Sequence, residues 1–83
     1  MKIKCIITDD EPMARKGLRG YIDKIEVLTL IGECEDAIQL NAMLKTRQVD
    51  LIFLDIEMPE MTGIELLSNL TNSPKVIIVS AYE

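Results

Sequence analysis

The chain contains no histidine and no excess of basic residues: 9 Lys and Arg stand against 14 Asp and Glu, a formal charge of −5. Gripping nucleic acid needs clustered Lys and Arg against phosphates, so this segment is not expected to bind DNA or RNA itself. Cysteine is scarce. Cys5 and Cys34 both fall inside apolar runs with no metal-ligand spacing, and they are expected to be reduced core residues rather than disulfide partners. No long hydrophobic run is present either. The basic, apolar opening Met-Lys-Ile-Lys-Cys-Ile-Ile reaches Asp9 and Asp10 too soon for a signal peptide or a membrane span, which leads to the expectation of a cytoplasmic protein. Repeats, low-complexity tracts and linker-like stretches are absent. What remains is 83 residues with an apolar fraction of 48%. That is room for one small, thermodynamically marginal domain with ample material for a core.

Three short apolar runs, at 3–7, 51–54 and 76–79, are continuous apart from Lys4 and, taken together, rich in Ile and Val. Continuous rather than alternating runs fit strands covered on both faces, as in a parallel sheet. A fourth run, at 27–34, is less pure and reads as an edge strand. Helical patterns lie between the runs. Ala14, Leu18, Ile22 and Ile25 recur at spacings that place them on one helical face, and Pro12 suits the first turn of that helix. Ala37, Leu40 and Leu44 form a second stripe, with Asp36 as its N-cap. Ile64, Leu67 and Leu70 mark a third, shorter helix, ended near Asn72-Ser73-Pro74. Strand and helix thus alternate three times before a final strand, which implies right-handed crossovers and helices on both faces of a parallel sheet.

In such sheets ligands gather at the carboxyl ends of strands, beside the point where the winding reverses. Asp9 and Asp10 directly follow the first strand, and Asp55 directly follows the third. If those strands are neighbours, three carboxylates converge, an arrangement that is unfavourable unless protonation or a cation relieves it. An oxygen-only donor set of this kind is what Mg²⁺ prefers. Each element also has a plainer reading. An acidic pair before a helix complements its dipole, a lone Asp after a strand caps a turn, and Ser80 is a solvated hydroxyl at a strand end. The argument rests on all three falling at carboxyl ends of successive strands.

Thr8-Asp9-Asp10-Glu11-Pro12 resembles the acidic opening of bacterial response-regulator receiver domains. The run Asp55-Ile56-Glu57-Met58-Pro59-Glu60-Met61-Thr62-Gly63 resembles the loop after their phosphorylated aspartate, and Ser80-Ala81 the end of their fourth strand. The resemblance covers essentially the whole chain. It implies an α/β, flavodoxin-like (CheY-like) doubly wound parallel sheet of strand order 2-1-3-4. It also implies a phosphoacceptor module of a two-component system rather than an enzyme, with Asp55 taking a phosphoryl group from a phosphohistidine on a partner kinase. Asp10, Asp55 and the Glu57 backbone carbonyl would ligate Mg²⁺ directly, with Asp9 acting largely through water. Ser80 would hydrogen-bond the phosphoryl group as a switch, and the small Ala81 would leave it a path. The lack of histidine is consistent, because the donor histidine belongs to the partner.

Other residues have mainly structural readings. Pro59 and Gly63 shape the loop after Asp55, and Met58 and Met61 pack it or form part of a binding surface. Glu57 and Tyr82 flank the phosphoryl site in receivers and either tune hydrolysis or are simply solvated. Arg15, Lys16 and Arg19 read as a solvated helix face, with a kinase contact as the alternative.

The chain lacks the fifth strand, its lysine and the last helices of the family pattern, and Lys75 begins the fourth strand. Residues 1–83 are therefore expected to be the N-terminal part of a single receiver domain. A fourth strand left as an apolar edge is expected to recruit a second chain. The residues at 9–15 and 80–83 resemble regulators whose receiver precedes a LytTR-type DNA-binding domain. Two rivals remain. One is an Mg²⁺-dependent phosphohydrolase of the haloacid dehalogenase-like type, which has Asp-x-Asp where this chain has adjacent Asp9 and Asp10. The other is an interaction module that keeps the fold without transferring phosphate.

Overall fold

The structure, a computed structural model, describes residues 2–55 and 75–79. In chain order these form β1 (Ile3–Thr8), α1 (Pro12–Asp23), β2 (Leu28–Cys34), α2 (Ala37–Thr46), β3 (Leu51–Asp55) and β4 (Lys75–Val79). The strands make one sheet in the order β2-β1-β3-β4, with every neighbouring pair parallel. This is the expected doubly wound order. The helix expected around Ile64, Leu67 and Leu70 lies outside the described residues.

Two core layers follow from the alternation of side chains along the strands. Ile6, Ile52 and Leu54 point to one face and pack with Cys34, Ala37 and Leu40. Cys5 and Ile7 point to the other and pack with Ile22, beside the partly buried Leu18, Leu51 and Phe53. α2 therefore covers one face and α1 the other. The two cysteines are free and buried, and they belong to opposite layers, so they cannot pair. Burial pushes the Cys34 thiol up to about 11, with the neighbouring Thr8 hydroxyl pulling the other way; Cys5 is also raised by burial. Because the folded state holds these protons more tightly, the stabilisation is complete below the unfolded thiol value, near 9.0, and is lost as pH rises toward 11. Iodoacetamide at pH 8 is expected to leave both thiols unmodified in the folded chain and to alkylate both in denaturant. Rapid modification of the folded chain at that pH would contradict the burial.

Local chemistry accounts for the helix ends. Pro12 occupies the first turn of α1, as expected. α2 is capped by Asp36, whose carboxylate accepts from the Gln39 amide at 2.8 Å, while the Gln39 carboxamide accepts from the Glu35 amide at 2.9 Å. The α1 stripe ends one member early. Ile25 lies beyond the helix, where its amide bonds Ile22 O at 3.0 Å in a tighter turn, and it is 46% exposed. Periodicity continued past the point where the chain must turn toward β2.

β2 carries a bulge that the sequence pattern did not reveal. Cys5 pairs with Leu30 and Ile6 with Gly32, leaving Ile31 out of register. The Ile31 carbonyl accepts from Arg47 Nη1 at 2.5 Å. A Cβ on Gly32 would run into Met43 Sδ and come within 3.2 Å of Arg47 Nη1. Gly32→Val is thus expected to destabilise the fold by about 1–3 kcal/mol through overpacking, read as a lowered urea midpoint. An unchanged midpoint would show that Met43 moves aside freely.

Candidate functional site

The site sits where the winding reverses. β1 leads through α1 to β2 on one side, and α2 then carries the chain back across to β3 on the other side of β1. The carboxyl ends of β1 and β3 consequently lie side by side, with Thr8 opposite Leu54, so the next step along each strand brings Asp9 and Asp55 together. One carboxylate oxygen each from Asp9, Asp10 and Asp55 lies within 4.8 Å of the others. Asp9 is buried, Asp55 half-buried and Asp10 exposed. Like charges this close repel, and solvent around the exposed Asp10 screens part of that repulsion. The donor set is all carboxylate oxygen, hard and anionic, and it fits a hard divalent cation such as Mg²⁺.

The backbone of Asp9 is anchored on several sides. Its amide donates to Cys34 O at 3.0 Å, tying it to the end of β2. Its carboxylate accepts from the Glu11 amide at 2.9 Å, a turn that leads the chain into α1. Its carbonyl accepts from Arg15 Nη1 at 2.7 Å. Arg15 in turn faces Glu33 of β2, with Nε 3.6 Å from Oε1, and Arg19 Nη1 lies 2.7 Å from the other Glu33 oxygen. The Arg15 side chain is only 19% exposed, against 51% for Arg19. Reading Arg15 as part of a solvated face therefore needs correction. On a helical wheel it lies beside Lys16 and Arg19, and only the approach of β2 shows that it points inward along the β1–α1 turn. Glu33 was missed for the same reason, since nothing in the sequence marks it as that arginine's partner.

Of the residues expected to act, the structure brings Asp9, Asp10 and Asp55 together. Glu57, Ser80 and Ala81, together with Met58, Pro59, Met61, Gly63 and Tyr82, lie outside the described residues. Lys75 is exposed at the start of β4, at the opposite end of the sheet from the carboxylates. Among the described residues, no helix is long and apolar enough to cross a membrane.

A parallel sheet wound about β1 and β3, with an acidic cluster at their carboxyl ends, defines the class of protein. Residues 5–83 match the response regulator receiver domain family, and the chain belongs to that family. It is 36% identical, over 98% of its length, to the transcriptional regulatory protein BtsR of Escherichia coli K12. It spans only 35% of that relative's length. Among solved structures it is similar to the MaeR response regulator bound to beryllium trifluoride, with a TM-score of 0.90 at 27% identity, covering 98% of this chain and 69% of that one. It is also similar to RcsB from Salmonella enterica serovar Typhimurium bound to a promoter in the presence of phosphomimetic BeF3−, with a TM-score of 0.89 at 26% identity, covering 99% of this chain and 43% of that one.

Proposed function

We propose that this segment is the phosphoacceptor of a bacterial two-component system, accepting a phosphoryl group on Asp55 from a histidine kinase to control an output domain. The observation that carries the reading is the convergence of Asp9, Asp10 and Asp55 at the winding reversal. A carboxylate oxygen of Asp55 attacks the phosphorus of the partner's phosphohistidine. The P–N bond breaks, its electron pair stays on the imidazole, and the product is an aspartyl phosphate. Asp10, Asp55 and the Glu57 carbonyl would hold Mg²⁺ directly, and Asp9 would act through water. When bound, Mg²⁺ offsets the carboxylate charge and that of the phosphoryl oxygens. Ser80 would donate a hydrogen bond to the phosphoryl group, and the small Ala81 would leave room for it to arrive. Beryllium trifluoride on MaeR and phosphomimetic BeF3− with RcsB support a phosphoryl role for this fold.

The proposal includes a cytoplasmic setting and treats residues 1–83 as the N-terminal part of one receiver domain. It also includes a DNA-binding output of LytTR type in the whole protein. The name of the BtsR relative, a transcriptional regulatory protein, supports a transcriptional output, while the LytTR type rests on the residues at 9–15 and 80–83 alone. An output domain of another class in the full reading frame overturns the LytTR part.

The test is incubation with acetyl phosphate or phosphoramidate, with and without Mg²⁺, followed by intact mass. One stable, hydroxylamine-labile phosphoryl group per chain, formed only with Mg²⁺, is expected. Steady turnover of a phosphate ester without a phosphoprotein would favour the phosphohydrolase reading instead.

The same segment is proposed to self-associate through β4. Among the described residues β4 pairs only with β3, and Ile77 on it is 46% exposed. Unpaired strand edges with apolar side chains recruit other chains. Light scattering of the 83-residue chain is expected to report a dimer or larger species, and a clean monomer at high concentration would refute it.

A further inference from the structure

The β1–α1 turn is gripped by a cation from α1, although the acidic residues beside it would themselves attract one. Arg15 donates to the carbonyl of Asp9 at 2.7 Å, and that carbonyl belongs to the peptide joining Asp9 to Asp10. Gripping it restricts rotation of the plane from which the Asp10 backbone departs, and so limits where the Asp10 carboxylate is presented. The guanidinium is itself held. Glu33, near the carboxyl end of β2, faces its Nε, and Arg19 fixes the other oxygen of Glu33. Together with the Asp9 amide bonded to Cys34 O, these contacts tie the turn to β2 through both backbone and side chain. Arginine suits the task because its planar fork can serve two acceptors at once in a defined geometry.

We propose that Arg15, clamped by Glu33, is a positioning residue for the carboxylate site, orienting the Asp9–Asp10 peptide so that both side chains face Asp55. This rests on the reading of that site as the Mg²⁺ and phosphoryl centre. Two physical effects predict opposite signs. As a nearby positive charge Arg15 repels Mg²⁺, so if charge alone mattered its removal would tighten binding. As the group that orients the turn it favours binding, so its removal loosens the site. Residues that orient metal ligands through hydrogen bonds commonly account for about ten- to a hundredfold in metal affinity, and for Arg15 to position the site its orienting effect must exceed its charge repulsion.

The test is a Mg²⁺ titration of the ¹⁵N-labelled 83-residue chain carrying Arg15→Gln, Arg15→Lys or Glu33→Gln, followed by amide shifts. Exchange of the Glu11 amide, which donates to the Asp9 carboxylate, is measured in parallel without metal. Arg15→Gln is expected to weaken Mg²⁺ binding about tenfold and to speed exchange at Glu11. Arg15→Lys, which keeps the charge but not the fork, and Glu33→Gln, which frees the guanidinium, are expected to fall between it and the parent. Unchanged or tighter Mg²⁺ binding in Arg15→Gln overturns the proposal. If that variant does not fold, Arg15→Lys decides in the same way. If the parent chain shows no saturable Mg²⁺ binding, the metal reading itself fails. The orienting role is then judged at Glu11, where faster exchange in Arg15→Gln upholds it and unchanged exchange overturns it.

Discussion

Asp55→Asn is expected to abolish phosphoryl acceptance entirely while leaving the chain folded. Asparagine matches aspartate in size but offers no anionic oxygen to attack phosphorus, so the defect lies in chemistry and not in packing. The same substitution has a second, less obvious consequence. Asp9, Asp10 and Asp55 crowd their carboxylates within 4.8 Å, and removing one charge relieves repulsion that the metal-free protein must bear. In the absence of Mg²⁺ the variant should therefore melt higher than the parent. The order should narrow or invert on adding Mg²⁺, because an ion that binds the native state stabilises it by mass action and the variant lacks a carboxylate proposed to hold that ion. Intact mass after incubation with a small phosphodonor reads the first effect, and melting curves with and without Mg²⁺ read the second. Undiminished phosphoryl incorporation would mean that another residue is the acceptor. A variant less stable than the parent without metal would mean that Asp55 stabilises the fold by contacts that outweigh the repulsion.

Leu40→Ala is expected to have the largest effect on folding. Leu40 is fully buried in α2 and packs with Ile6, Ile52 and Leu54 in the layer between α2 and the central strands. Truncating a buried leucine to alanine costs about 2–5 kcal/mol, the spread reflecting how far the site can collapse. A domain of this size has a total stability of roughly 5 kcal/mol or a little more, so a sizeable fraction of the variant should be unfolded at ambient temperature. Ile38 provides the internal control, since it lies on the same helix but is 61% exposed, and Ile38→Ala is expected to change stability by about 0.5 kcal/mol or less. Urea unfolding followed by circular dichroism compares the two. Similar midpoints would mean that α2 is not anchored as the structure has it.

Much of the architecture was legible because its signals are local. The short apolar runs marked β1, β3 and β4, and Asp36 marked the start of α2, because hydrophobic burial on both faces and capping of free amides act over a few residues. Where the chain must turn, local periodicity misled. Ile25 continued the α1 stripe in sequence but lies in the turn to β2. The bulge at Ile31 was invisible because a register shift is a relation between two strands, and Gly32 alone does not reveal that Met43 will cross it.

The sequence by itself determined the strand–helix alternation, the buried faces of α1 and α2, and the acidic residues at strand ends with the family motif around Asp55. Each of these depends on the spacing of residue types along one segment. Only the tertiary structure decided that β1 and β3 are neighbours, so that Asp9, Asp10 and Asp55 share one crevice. It alone turned Arg15 from a presumed surface charge into a group gripping the Asp9 carbonyl under the hold of Glu33. Such relations join residues far apart in the chain. They are set by strand pairing and crossover geometry, which no local pattern of hydrophobicity or charge encodes.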